Sequence, residues 1–209
     1  MKPIKSLLVL AIVCAPALAP SLASAQGYYG RGRQASPVPG GFHNRAGRVT
    51  FGLSLGLGGM NDDGSSITRC DNCDFNPLAF EADFHLGGML SPRFALMLEG
   101  QVNTQTIESR VFDDDTMVTQ SALMFAAQLW LFPQLWIKGG IGGANLRVDD
   151  RFFVDDVGNG LALMGAAGFE LFSARNFALD LQGRIIEGAY NRGNDHVTSG
   201  TIGLGLNWF

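Results

Sequence analysis

Apolar and polar residues alternate along most of the chain between residues 49 and 209. The clearest case covers residues 78–106, where two alternating segments flank the tripeptide Ser91-Pro92-Arg93. Successive side chains of a β-strand point to opposite faces, so this alternation predicts strands with one apolar and one polar face. The proline-containing tight turn between them predicts a β-hairpin. Its predicted apolar face carries Leu78, Phe80, Ala82, Phe84, Leu86, Phe94, Leu96, Leu98 and Val102.

The same alternation recurs and predicts eight strands in total. Besides the hairpin, they cover residues 49–57, 116–131, 135–146, 161–172, 177–186 and 197–209. Their connections alternate in length: short at residues 91–93, 132–134 and 173–176, long and polar at residues 61–77, 108–115, 147–160 and 187–196. Short turns at one end and long loops at the other are typical of an all-β, antiparallel, up-and-down transmembrane β-barrel. Such a barrel also leaves no sheet edge exposed to lipid.

The alternation alone leaves open which face points inward, because a soluble barrel of the lipocalin type would bury the apolar face. Three observations favour a membrane barrel. The polar face consists mostly of Gly, Ala, Ser, Gln and Asn, and the four long loops hold 14 of the 19 carboxylates. Aromatic residues also crowd the short-turn end, where a belt at the membrane interface is expected. These predicted interface aromatics are Phe94, Trp130, Phe132, Trp136, Phe177, Trp208 and Phe209.

The first 47 residues differ in composition from the rest of the chain. Lys2 and Lys5 precede an apolar stretch and the small-residue site Ala23-Ser24-Ala25, which together predict a cleaved secretory signal peptide over residues 1–25. Residues 26–47 are rich in Gly, Pro and Arg without periodicity, which predicts a flexible extension.

The arginines of this stretch offer contacts to phosphate headgroups, but a solvated tail is the preferred interpretation; they are Arg31, Arg33, Arg45 and Arg48. The predicted barrel then covers residues 48–209. Lys138 is the only lysine after the predicted signal peptide, and the net charge is −4. A chain without a basic patch is not expected to bind nucleic acid.

With these features the chain resembles the small outer-membrane barrels of the OmpA-like and OmpX-like kind over residues 48–209. The resemblance rests on the signal peptide, the eight strands, the short turns and the terminal aromatic residue Phe209. It implies a barrel in the outer membrane of a Gram-negative cell, in contact with lipid and lipopolysaccharide and assembled by the barrel-assembly machinery. The family's C-terminal signature places apolar residues at alternate positions before the last aromatic. In this chain the apolar residues lie at odd distances from Phe209, one position off that signature: Ile202, Leu204, Leu206 and Trp208.

Cys70 and Cys73 lie in the first long loop. Two cysteines in an oxidising compartment usually pair, so a disulfide bond is predicted in preference to a metal clip with neighbouring aspartates. The acidic runs at residues 113–115 and 149–156 offer oxygen ligands for divalent cations, but solvated acidic loops are the preferred interpretation. No cofactor is expected.

The polar faces are predicted to build a charge network in the barrel interior. Counting from the short turns sets Gln128 opposite Lys138 and Glu170 opposite Asp180, and counting across residues 147–160 sets Lys138 opposite Glu170. Facing carboxylates repel each other, so Lys138 and Arg184 are expected to balance them. The predicted network comprises Glu81, Asp83, His85, Glu99, Gln128, Lys138, Glu170, Asp180 and Arg184.

His85 raises the alternative of a Ser–His–carboxylate enzyme that modifies lipid A. It is predicted to face the lumen, out of reach of lipid, so an interior histidine with satisfied hydrogen bonds is the preferred interpretation. An eight-stranded barrel has interior room only for its own side chains, which argues against a wide pore. The sequence therefore predicts a structural or surface-interaction protein that presents acidic loops. A lipid A-modifying enzyme and a narrow channel remain as alternatives.

Overall fold

The strands lie close to where the alternation predicts them. The computed structural model describes residues 41–62, 65–66, 78–109, 114–149, 154–190 and 196–209. The predicted signal peptide and most of the predicted extension are outside these ranges. No helix among the described residues is long and apolar enough to cross a membrane. The strands are β1 (Val49–Asp62), β2 (Ser65–Ser66), β3 (Ala79–Ser91), β4 (Phe94–Ser109), β5 (Asp114–Trp130), β6 (Leu135–Asp149), β7 (Val154–Ser173), β8 (Phe177–Tyr190) and β9 (His196–Trp208).

The sheet closes on itself as an eight-stranded barrel. Each barrel strand pairs antiparallel with the next and β9 pairs with β1, while the two-residue β2 only extends the end of β1. A row of paired residues that starts at Gly52 crosses every barrel strand and returns to β1 at Asp62, ten residues further on. This stagger tilts the strands by about 40° and sets a radius of about 8 Å. The predicted up-and-down barrel is confirmed.

The apolar faces of the strands point outward. Phe125 on β5 is 76% exposed and Leu53 on β1 is 56% exposed, whereas Glu99 and Gln105 on β4 point inward and are 0% exposed. A soluble lipocalin-like barrel has the reverse arrangement, with apolar side chains inside. The alternation left open whether the barrel is soluble or spans a membrane. The outward apolar surface shows that it is a membrane barrel.

Several strands continue further into the predicted loops than polarity suggested. β6 ends at Asp149 and β7 begins at Val154, and these two residues pair. Most of the predicted long loop over residues 147–160 is therefore strand. Polar side chains do not interrupt backbone hydrogen bonds at a solvated rim, because the side chains and the ladder use different groups.

The register between β6 and β7 corrects one prediction. Gln128 lies opposite Lys138 and Glu170 lies opposite Asp180, as expected, but Lys138 lies opposite Ala166 and not Glu170. The error is four residues. A shift by an even number keeps every side chain on the same face, so the alternation could not distinguish these registers.

The predicted disulfide bond is also corrected. The described residues contain no disulfide bond, and Cys70 and Cys73 lie outside them. The prediction therefore has no structural support and is withdrawn.

Candidate functional site in the barrel lumen

The lumen collects the buried charges of the chain. It contains the five carboxylates that lie outside the four predicted loops, each of them at most 5% exposed. Three cations are buried among them. Ions at this depth are costly unless they are paired, so their partners determine whether the fold tolerates them. The carboxylates are Glu81, Asp83, Glu99, Glu170 and Asp180, and the cations are Arg45, Lys138 and Arg184.

The central cluster joins two of these cations to three carboxylates. Arg184 on β8 places Nη1 2.8 Å from Glu81 Oε1 and Nη2 3.0 Å from Glu99 Oε1, and it also pairs with Asp83. Lys138 on β6 places Nζ 3.0 Å from Glu99 Oε2. Glu99 therefore bridges both cations. Loss of either cation would leave buried carboxylate charge without its full balance.

His85 lies beside this cluster on β3. It is 7% exposed. In the strand register it lies opposite Glu99 of β4 on one side and opposite Gly52 of β1 on the other. A Cβ at Gly52 would overlap both the imidazole of His85 and the amide of Asn207, so the glycine makes room for the ring. Barrel side chains enclose His85, but its Nδ1 has no hydrogen-bond partner among the described residues, so the prediction of satisfied hydrogen bonds is wrong at this atom.

A second cluster closes the short-turn end of the lumen. Glu170 on β7 accepts hydrogen bonds from Arg45 Nη1 at 2.9 Å and Arg45 Nη2 at 3.1 Å, and from Trp130 Nε1 at 2.7 Å. The Ser173 hydroxyl donates to the same carboxylate. We call Arg45, Trp130, Glu170, Ser173 and Phe209 the mouth cluster, because all of them lie at this end.

Arg45 is the residue that sequence reasoning missed. It was expected to be solvated, yet it is 3% exposed and forms the ion pair with Glu170. It precedes the alternating segments, so no periodic pattern marks it. The predicted register already gave Glu170 a cation in Lys138, so the sequence held no signal for a second one; only the observed register, with Lys138 opposite Ala166, leaves Glu170 to Arg45.

Two predicted interface aromatics lie inside the barrel instead. Trp130 is 3% exposed and Trp136 is 1% exposed. Trp136 Nε1 donates to Asp180 Oδ2 at 3.1 Å, and Asn207 Nδ2 donates to the same oxygen at 2.8 Å. Parity could have revealed this, because Trp136 is two residues from the inward Lys138 and therefore shares its face.

The other predicted interface aromatics lie around the rim at the short-turn end of the barrel. Phe132 is 64% exposed, Phe94 and Phe177 are partly exposed, and Trp208 stacks on Phe51 with ring centroids 5.0 Å apart. Phe209 is half-buried and packs edge-on against Trp130 at 6.2 Å. Their place on the membrane interface remains a prediction.

Side chains also fill the long-loop end of the lumen. Gln120 Nε2 donates to the Tyr190 hydroxyl at 3.0 Å and to the Val197 carbonyl at 3.2 Å, and Asn103 Nδ2 donates to Ser199 Oγ at 2.8 Å. Gln128 is 4% exposed at the opposite end of β5. The described lumen therefore holds buried side chains at both ends and at the centre. Within the same residues, no three His, Cys, Asp or Glu side chains are grouped as a metal site.

A closed antiparallel barrel with an apolar outside and buried polar side chains inside defines the class: the chain has the fold of an outer-membrane β-barrel. No family model matches the chain, and neither does any curated protein. Among solved structures it is similar to Neisserial surface protein A, with a TM-score of 0.55 and 10% identity over 77% of this chain and 96% of that one. It is also similar to Ail, the attachment invasion locus protein of Yersinia pestis, with a TM-score of 0.49 and 14% identity over 77% of this chain and 99% of that one. A further similar structure is OprG of Pseudomonas aeruginosa, with a TM-score of 0.42 and 11% identity over 79% of this chain and 98% of that one.

Proposed function

We propose that this protein is a surface-interaction protein whose barrel serves as a membrane anchor for acidic extracellular loops. One observation carries the proposal: side chains are buried in the described lumen at each level from the mouth cluster to the layer around Gln120 and Tyr190. An eight-stranded barrel has interior room mainly for its own side chains, so its rims are the surfaces that it offers to solutes. Contact with outer-membrane lipid and lipopolysaccharide follows from the apolar outer surface, and assembly by the barrel machinery from the same class of fold.

The charge distribution supports a cationic or cation-bridged ligand. The four loops predicted from the sequence hold 14 of the 19 carboxylates. Where the structure describes this end, Asp149 is partly exposed and its Oδ1 lies 2.8 Å from Arg147 Nε, and Glu187 is exposed and its Oε1 lies 3.6 Å from the His196 imidazole. Exposed pairs of this kind are weak, so the rim carries a negative field beyond them.

The proposal requires the long loops to face outside and the short turns to face the periplasm. Cysteine at Asp114 or Asp155, in a background in which Cys70 and Cys73 are serine, should react on whole cells with an impermeant maleimide. Cysteine at Arg175, in the turn between β7 and β8, is the matched control and should react only after the outer membrane is permeabilised. Labelling of the Arg175 position on intact cells would reverse the orientation and refute the proposal.

Charge recognition is tested with the purified barrel in zwitterionic nanodiscs and a fluorescent oligolysine peptide as the probe. The wild type should bind the peptide in a salt-dependent way. Replacing Asp113, Asp114 and Asp115 by asparagine should weaken binding, whereas replacing them by glutamate keeps the charge and should keep the affinity. Equal affinity for all three proteins would contradict a role for this acidic loop.

The enzyme alternative is tested separately. Since His85 is enclosed in the lumen, we expect a deletion strain to have the same lipid A composition as its parent. A changed acylation pattern that the wild-type gene restores would favour the enzyme instead.

A further inference from the structure

Arg45 occupies a site with the features of a guanidinium receptor. Its Nη1 donates to Glu170 Oε1 at 2.9 Å, and its Nη2 donates to Glu170 Oε2 at 3.1 Å, to Ser173 Oγ at 3.2 Å and to the Ala174 carbonyl at 2.8 Å. The ring of Phe209 lies 3.8 Å from its Cζ. A two-point carboxylate, further oxygen acceptors and an aromatic face are the groups that match a planar guanidinium and not an ammonium.

The receptor and its occupant come from opposite ends of the chain. Glu170, Ser173 and Ala174 belong to β7 and the turn after it, and Phe209 follows β9. Trp130 Nε1 holds one Glu170 oxygen at 2.7 Å, so the carboxylate is oriented by the barrel itself. The site is therefore formed by barrel residues alone, and Arg45 reaches it from the segment before β1.

That segment, residues 41–48, lies across the short-turn end and is named the strap here. Gly47 N donates to the Met89 carbonyl at 2.7 Å, and the ring of Phe42 lies 4.7 Å from Arg93 Cζ. Arg48 Nη1 donates to Asn176 Oδ1 at 2.6 Å. Phe42 also packs against the buried hydrophobic residues of the barrel. Arg45 is the only charged side chain of the strap that is buried, at 3% exposed.

We propose that the short-turn end of the barrel is a guanidinium-binding site that Arg45 occupies as a tethered ligand. The strap stays docked as long as the tethered arginine fills the site. A ligand that carries a guanidinium group, such as an arginine side chain of a peptide, binds the same site when Arg45 is absent or displaced. This site lies at the end of the barrel opposite to the acidic loops, and it is independent of their function.

Chemical rescue tests the site. Arg45→Ala should lower the temperature at which the folded band converts to the unfolded band in a detergent gel, by roughly 6–20 °C, because Glu170 loses its partner. Millimolar methylguanidinium should recover at least half of that loss, and methylammonium at the same concentration should recover much less. The double variant Arg45→Ala/Glu170→Gln is the matched control and should respond to neither. Equal rescue by both cations, rescue of the control, or no rescue would overturn the proposal.

A second measurement covers the case in which Arg45→Ala does not fold. A spin label on Ala46→Cys, with Cys70 and Cys73 replaced by serine, reports the motion of the strap in the otherwise unaltered barrel. The label should be immobilised while Arg45 is present, and Arg45→Lys, which keeps the charge but not the planar fork, should increase its mobility. A label that is already mobile with Arg45 present, or one that Arg45→Lys leaves unchanged, would contradict the tethered ligand.

Discussion

The buried pair between Lys138 and Glu99 gives the sharpest test of the charged lumen. We expect Lys138→Met to destabilise the barrel, because methionine matches the length of the lysine stem but cannot balance a carboxylate. Lys138 is 5% exposed and Glu99 is 0% exposed, so solvent cannot replace the lost partner.

The magnitude follows from the geometry. Two charges 3.0 Å apart, as Lys138 Nζ and Glu99 Oε2 are, attract by about 5.5 kcal/mol at an effective dielectric constant of about 20. Removing one member of a buried pair typically costs about 3–5 kcal/mol. Glu99 keeps Arg184 at 3.0 Å, so we expect the lower end, about 3 kcal/mol. For a chain of this size that corresponds to about 6–12 °C in unfolding temperature.

The assay is the conversion temperature of the folded band in an unboiled detergent gel, supported by thermal unfolding followed by circular dichroism. In the Lys138→Met background, Glu99→Gln should restore part of the stability, because it removes the carboxylate that lost its partner. Glu170→Gln is the matched control and should lower stability further, since Glu170 belongs to Arg45. A wild-type conversion temperature for Lys138→Met, or rescue by Glu170→Gln in place of Glu99→Gln, would refute the assignment of partners.

Two further predictions test the outer surface and the interior aromatics. Phe125 lies between Leu98 and Ile141 on the outer face of the sheet. Phe125→Arg should cost about 2–4 kcal/mol near the bilayer midplane, whereas Phe132→Arg at the rim should cost at most about 1 kcal/mol. Equal unfolding free energies for the two variants in lipid vesicles would contradict the membrane placement. Trp136→Phe removes the donor to Asp180 and should cost about 1–3 kcal/mol, measured by denaturant titration, and no loss would show that this hydrogen bond does not stabilise the lumen.

The sequence determined the architecture because a period of two is a local property. The alternation identifies the apolar face of each strand from the sequence alone. The small number of charged residues on the polar faces of the strands also indicated that the apolar faces contact lipid. Short turns fix the pairing of the strands they join, which is why Gln128 opposite Lys138 and Glu170 opposite Asp180 were predictable. The alternation also places Trp136 on the same inward face as Lys138, two residues away, although the expected aromatic belt led to its assignment to the outer face.

Only the tertiary structure decided which charges meet. Across the connection between β6 and β7, registers that differ by two or four residues satisfy the same alternation, so Lys138 could not be assigned to Glu99 from its pattern. The ten-residue stagger of the closed barrel then brings Arg184 of β8 to the carboxylates of β3 and β4 across the lumen. Arg45 lies in a stretch without periodicity, and its partner Glu170 is 125 residues away, so nothing local marks their contact. Alternation specifies faces; barrel closure specifies partners, because only the closed sheet fixes distances across its interior.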